Sequence, residues 1–191
     1  TYRLELERWN RRYGFVKAGG ADLVVRHFLD SLAGLPRIAR LAPRTLLDVG
    51  SGAGFPGIPL AVLLNKTQVT LLERSAKKAA FLRNIVLILG LSRVLVEERQ
   101  LKELAERGER FDVVTFRALS PLARDLDRLH LVTAAGGHIV SYKGKRERIE
   151  EELAVAGLAE AAGEVEVVPL RVPFLEEERH LVIIAVKQLN D

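Results

Sequence analysis

Short apolar runs at positions 45–49, 68–73, 93–97, 111–116 and 137–142 alternate with stretches of helical apolar spacing at 56–64, 76–89, 100–107 and 121–133. Runs of that length read as buried strands, and the stretches between them read as crossover helices. Strands joined by helices pair in parallel, so the pattern predicts a doubly wound, mostly parallel sheet with helices on both faces. The last third changes rhythm. A helix is expected from Arg146 to Ala161, followed by strands Glu164 to Arg171 and His180 to Lys187 with a short Pro/Glu loop between them. That loop leaves no room for a crossover helix, so these two strands are expected to pair antiparallel. Upstream, Tyr2 to Tyr13 has helical composition and Ala21 to Leu35 helical spacing. The expected organisation is a single α/β domain over 1–191, with an N-terminal helical extension at 1–40 and a Rossmann-like core at 45–191.

The first strand runs into Asp48-Val-Gly-Ser-Gly-Ala-Gly-Phe-Pro-Gly57. Closely spaced glycines between a strand and a helix permit a tight turn and close backbone approach to a ligand. Two registers compete. Gly52-x-Gly54-x-x-Gly57 has the spacing of the dinucleotide fingerprint, but it begins four residues beyond Asp48, whereas that fingerprint starts at the strand end. Asp48-x-Gly50-x-Gly52-x-Gly54 resembles motif I of class I S-adenosylmethionine (AdoMet) methyltransferases. A glycine-rich turn without a ligand is the plain alternative.

Strand ends in an open parallel sheet lie side by side at the ligand crevice, which gives the later strand ends meaning. Glu73 closes the second strand, where its carboxylate can accept both ribose hydroxyls; a charge favoured by the start of the next helix is the alternative. The third strand ends near Gln100-Leu101, where such folds contact adenine. The fourth ends at Arg117-Ala118, facing the reaction centre. An antiparallel ending also resembles the AdoMet methyltransferase fold, whereas dinucleotide domains continue in parallel.

Composition narrows the class further. The chain is 48% hydrophobic and 28% charged with no cysteine, which excludes a disordered class, disulfides and thiolate metal sites. No apolar stretch reaches about 18 residues, and the N-terminus lacks a signal peptide's layout. A soluble, cytoplasmic protein without membrane contact is expected. The chain starts at Thr1 and contains no methionine, which fits the loss of some N-terminal residues. The net charge of +4, with basic clusters at Arg8 to Arg12, at Lys77-Lys78 and Arg83, and at Lys143 to Arg148, favours an acidic partner such as nucleic acid. The four histidines lie apart in sequence, and no metal site is expected.

Beyond the fold, the residues resemble those of the RsmG family, also called glucose-inhibited division protein B, of bacterial ribosomal RNA small-subunit methyltransferases. The matching pieces are Trp9-Asn10, Arg26-His27-Phe28-Leu29-Asp30-Ser31-Leu32, the Asp48 to Pro59 loop, Leu71-Leu72-Glu73 with Lys77-Lys78 and Phe81-Leu82, Phe111-Asp112 leading to Arg117-Ala118, Lys143-Gly144, and Glu178-Arg179-His180-Leu181-Val182. They span nearly the whole chain. The resemblance implies transfer of methyl from AdoMet to nitrogen 7 of one guanine in the 530 loop of 16S rRNA, with 16S rRNA or the 30S subunit as partner and the enzyme acting as a monomer. That nitrogen carries a free lone pair, so no general base is needed for attack. Cofactor contacts carry over to Gly50, Phe55, Gln100, Leu101 and Arg117, with Asp48, Gly52 and Gly54 in the loop and Glu73 as ribose acceptor. Arg117 and Lys143 are implied at the reaction centre, with Lys143 also on RNA. Arg179 and His180 either contact RNA or cap the final strand.

The chain departs from the family at Tyr13-Gly14-Phe15-Val16, where Asn-Leu-Thr is usual, and at Gln100-Leu101, where a small residue and an acid are usual. His27 and Asp30, three apart on a helix, fit either a mutual packing contact or a functional role. Trp9 and Phe81 read as core rather than as base-stacking residues. Two competing functions are an NAD-dependent oxidoreductase using Gly52, Gly54 and Gly57, and a non-catalytic RNA-binding module on the same fold.

Overall fold

Alternation of side chains along each strand divides the apolar residues between two faces of one sheet. Leu46, Leu71 and Val113 enter one core cluster, while their neighbours Leu47, Leu72 and Val114 enter the other. The computed structural model describes residues 1–117, 122–155 and 164–187. Seven strands form a single sheet: β1 (Thr45–Val49), β2 (Gln68–Leu72), β3 (Val94–Glu97), β4 (Phe111–Arg117), β5 (Thr133–Lys143), β6 (Val165–Leu170) and β7 (Arg179–Ala185). Their order is β3-β2-β1-β4-β5-β7-β6, with β7 antiparallel to both of its neighbours and the other pairings parallel. The class I methyltransferase architecture expected from the sequence is therefore present, including the antiparallel C-terminal strand.

Helices cover both faces. On the first lie α1 (Tyr2–Tyr13), α5 (Gly57–Leu63) and α6 (Ala76–Ile88), with Leu6, Ile58 and Phe81 fully buried in its core. On the second lie α7 (Leu101–Glu106), α8 (Leu122–Val132) and α9 (Arg146–Val155), contributing Leu104, Leu129 and Ile149. Trp9 packs against the first core with its ring 5.5 Å from Phe81, in the packing role expected for both. Ala118, the start of the helix expected from 121, and the continuation of the helix expected past Val155 to Ala161 lie outside the described residues.

Two elements differ from expectation. Ala21 to Leu35 is not one α-helix but α2 (Gly20–Leu23), a π-helical turn Val24–Leu29, α3 (Asp30–Ala33) and, beyond it, α4 (Leu35–Arg40). The wider turn lets the Arg26 carbonyl, the His27 ring and the Asp30 carboxylate all meet Arg117. Such π segments appear as local insertions in α-helices, and tertiary contacts of this kind override simple spacing. Strand β5 begins at Thr133, four residues early, through a register shift opposite Phe111/Val113 that local apolar pattern does not encode.

The strand β1 delivers Asp48 to the first face, fully buried beneath the glycine loop. Its Oδ2 accepts the Gly57 backbone N–H at 3.0 Å, fixing the start of α5, while Oδ1 has no hydrogen-bond partner. Burial pushes its carboxyl up from 3.8 to about 7, against the Gly57 hydrogen bond, which acts in the opposite direction. A carboxyl raised in the folded state holds its proton where the unfolded chain has released it. Its contribution to stability is thus complete below pH 3.8 and is lost as pH rises through about 7. Relative to an Asp48→Asn variant, the wild type is expected to lose stability across that window by up to roughly 1.4 kcal/mol per pH unit. Urea unfolding of both proteins at a series of pH values measures it, and a pH-independent difference would refute it.

Candidate active site

Strand order reverses between β1 and β4, and crevices at the carboxyl ends of such switch points are where open α/β sheets bind ligands. The register pairs Val49 with Phe116, so Gly50 and Arg117 leave the sheet side by side. Leu72 pairs with both Val49 and Glu97, which lines Glu73 up next to the loop and the end of β3 beside it. A cleft of about 1090 Å³ opens over the switch point. Its walls include Gly50, Ser51, Gly52, Phe55, Arg117, Lys143 and Arg179, together with His27 and Asp30 from the extension and Phe15 to Ala18 after α1. Seven basic and five acidic side chains line it, giving a net positive cleft.

The glycines divide into two kinds. Gly50 and Gly52 have φ of 69° and 60°, and a Cβ added at Gly50 would meet nothing within 4 Å. That open space suits a ligand approaching the backbone closely. Gly54 and Gly57, by contrast, face protein: a Cβ would strike Tyr2 and Ile58 at the first, and Leu71 and Asp48 at the second. The Gly57 N–H is already taken by Asp48. The dinucleotide register thus spends two of its glycines on internal packing, while the register from Asp48 leaves Gly50 and Gly52 at the cleft.

Glu73, 6% exposed, braces the loop. Its Oε2 accepts the Gly52 N–H at 2.9 Å and its Oε1 the Ser75 N–H at 2.8 Å. Each carboxylate oxygen keeps a second lone pair. Gln100 is exposed and caps α7: its side chain takes an N–H of the first turn, and Glu103 returns the bond to the Gln100 N–H at 2.8 Å. Leu101 packs against the second core. Glu73, Gln100 and Leu101 follow the strand ends beside the loop and do not line the cleft.

The extension closes the site through one carboxylate. Asp30 is 3% exposed, and a charge so buried requires partners. Arg117 donates to its Oδ2 at 3.2 Å and Arg179 to its Oδ1 at 3.0 Å. Arg117 also donates to the Arg26 carbonyl at 3.0 Å, lies 2.6 Å from His27 Nδ1, and holds its guanidinium 5.5 Å from the Phe55 ring centre. Burial, then Arg117 and Arg26, pushes the His27 imidazole down to about 4. The ring is therefore neutral near pH 7, with Nδ1 free to accept from Arg117. His27 and Asp30 do not serve each other; both serve Arg117.

Lys143, at the end of β5, pairs with Glu152 of α9 at 2.5 Å. His180 sits opposite Lys143 in the β5–β7 register, 6% exposed, with Nδ1 donating to the Gly144 carbonyl at 2.7 Å. Its burial outside the cleft lining favours the structural alternative of bracing the Lys143-Gly144 turn, whereas Arg179 lines the cleft. Three contributors were not apparent from sequence. The Tyr2 hydroxyl donates to the Ala53 carbonyl within the loop, the Tyr142 hydroxyl donates to the Ser31 carbonyl at 2.8 Å, and Glu152 pairs with Lys143. The two tyrosines join residues far apart in the chain, and Glu152 reaches Lys143 from the next element, through contacts with no local signature. Among the described residues no group of three or more His, Cys, Asp or Glu side chains is arranged to hold a metal ion, and no helix is long and apolar enough to cross a membrane.

Comparison with known proteins agrees with this geometry. The O-methyltransferase of Bacillus cereus in complex with SAH superposes with a TM-score of 0.70 at 17% identity, covering 97% of this chain and 90% of that one. At that identity the likeness concerns the fold alone. The ribosomal RNA small subunit methyltransferase G of Xanthomonas axonopodis pv. citri is 40% identical over 189 residues, covering 96% of this chain and 83% of the relative. The protein of the same name from Borrelia turicatae is 47% identical over 132 residues, 69% of this chain; there the match spans less than two thirds of the relative, 62%. The family model described as GidB, rRNA small subunit methyltransferase G, matches residues 1–182. With its glycine loop, its Asp30-centred arginine pair and its antiparallel last strand, the chain belongs to the rRNA small subunit methyltransferase G family.

Proposed function

We propose that this chain transfers a methyl group from AdoMet to nitrogen 7 of one guanine in the 530 loop of 16S rRNA. The observation that carries the reading is a single convergence: Asp30, Arg117 and Arg179, drawn from three distant motifs, form one network around a buried carboxylate on the wall of the cleft into which Gly50 opens. AdoMet, when bound, supplies a methyl group on a sulfonium that is already electrophilic. The chain's own task is then to hold the acceptor in line, and orientation alone can remove much of such a barrier.

Each residue has a part in that task. Gly50 and Gly52 give the backbone room for the cofactor, and Glu73 has the free lone pairs to accept the ribose hydroxyls while bracing the loop. Phe55, clasped by Arg117, forms an apolar wall behind the loop. Arg117 keeps unspent N–H donors toward the cleft, suited to a guanine oxygen or a phosphate, and Lys143 and Arg179 add positive charge beside it. Guanine nitrogen 7 carries no proton, so the neutral His27 is not required as a base and acts to position Arg117. Gln100 and Leu101 act near adenine through backbone rather than side chains, since capping and packing occupy the latter. We read residues 1–191 as one domain, because the extension shares the first core with the sheet. The protein acts as a monomer in the cytoplasm, on 16S rRNA or the 30S subunit that holds it.

Methylation of 16S rRNA from a strain lacking this activity, with labelled AdoMet and mapping of the modified nucleotide, tests the proposal; label at any other position removes it. Gly50→Val is expected to abolish AdoMet binding in calorimetric titration, since a branched side chain is strained at positive φ and fills the open space. Retained binding would take Gly50 out of the site. Arg117→Ala is expected to lower turnover by about two orders of magnitude, beyond any loss of thermal stability; unchanged turnover would take Arg117 out of the reaction centre.

A further inference from the structure

Two basic clusters separated by more than sixty positions in sequence meet on one exposed ring. The Arg12 guanidinium lies 5.4 Å from the centre of the Tyr13 ring, and the Lys77 ammonium 5.9 Å from it. Tyr13 is 37% exposed at the end of α1, and behind it the aromatic stack descends into the protein: Phe15 lies parallel to it at 5.5 Å and rests on the buried Phe81. The same Phe15, followed by Lys17, lines the cleft. This surface is therefore continuous with the proposed active site.

Ion pairing does not account for the charges. Several arginines elsewhere on the surface are paired, as in Arg83–Glu98, Arg99–Glu97 and Arg128–Asp125. Arg12, Lys17 and Lys77 have no carboxylate within ion-pairing distance among the described residues. Arg12 at the end of α1 suits the negative end of that helix. Lys77 does the opposite: it stands in the first turn of α6, which contains no acid, where the helix dipole disfavours a cation. With the Tyr13 ring face beside it and no carboxylate among the described residues, the Lys77 ammonium stays at the surface, a local preference broken for another purpose.

From this arrangement we infer that Arg12, Tyr13, Lys17 and Lys77 form a docking surface for single-stranded RNA flanking the methylated nucleotide. Cations track phosphates while an aromatic face receives a base, a combination that binds single strands with little sequence preference. Tyr13 is the stacking platform, and its rigid backing by Phe15 keeps the ring in place. The surface rests on the proposed function, for it supposes that RNA enters the cleft.

The test is equilibrium binding of protein-free 16S rRNA, and of 30S subunits from a strain lacking the methylation, to wild type, to Arg12→Gln/Lys77→Gln and to Tyr13→Leu and Tyr13→Phe. The double variant and Tyr13→Leu are expected to weaken binding to both probes by about tenfold, with AdoMet affinity and thermal midpoint unchanged. Tyr13→Phe keeps the ring and is expected to bind like wild type. The double variant should also flatten the dependence of log Kd on log salt by about 1.4, the share of two phosphate contacts on a single strand. Unaltered binding in the double variant, or a loss confined to 30S subunits, which would indicate a ribosomal protein partner, overturns the inference. A wild type that methylates rRNA alongside unaffected variants refutes the surface alone; a wild type that neither binds nor methylates rRNA refutes the proposed function with it.

Discussion

The buried carboxylate of Asp30 is the constraint on which the site depends. It is almost wholly shielded from water, so its charge must be met by protein, and both of its oxygens are met by arginines, Arg117 from β4 and Arg179 from β7. Removing either partner would strand charge in a low-dielectric interior, a larger loss than the net worth of the pair. One anion between two cations also leaves the cluster positive overall. The consequence is a cleft wall that is both rigid and attractive to an anionic substrate. The helical extension is thereby locked to the sheet at the place where the sheet's two halves diverge.

A second anchor holds the glycine loop. Asp48 takes the first N–H of α5, Glu73 takes an N–H of the loop, and Tyr2 reaches across from α1 to the Ala53 carbonyl. The loop is thus tied from below by its own strand, from the side by the neighbouring strand and from above by the extension. Such bracing lets Gly50 and Gly52 keep their positive φ without disorder. It also explains why four glycines suffice for two tasks: the outer pair yields space, and the inner pair lets Tyr2 and Asp48 come close.

Much of this was legible in the sequence, and for definite reasons. Strands β1, β2 and β4 announce themselves because a strand buried on both faces is a continuous apolar run, and Gly50 and Glu73 follow from the rule that strand ends converge at a switch point. The antiparallel hairpin was legible because its loop is too short for a crossover. What escaped was long-range or non-local. Asp30 finds its partners 87 and 149 residues away, and no periodicity encodes that. Tyr2 looks like any core aromatic until the loop is seen against it, and Glu152 like any solvated glutamate on α9. The π turn of Val24–Leu29 has the same composition as an α-helix, so spacing alone read it as one. His180 carried a motif signal but no burial signal, which is why an RNA contact and a strand cap were equally readable.

The reversed direction of β7 has a consequence of its own. Parallel strands bring their last residues to the carboxyl edge, whereas a strand running the other way brings its first, so Arg179, the first residue of β7, arrives there directly from the preceding hairpin loop. Among the separate stretches of chain that line the cleft, the loop after β1 and the hairpin before β7 are independent of each other. Changes in the length or chemistry of that hairpin can reshape one wall while the opposite wall, with its glycines and their anchors, stays as it is.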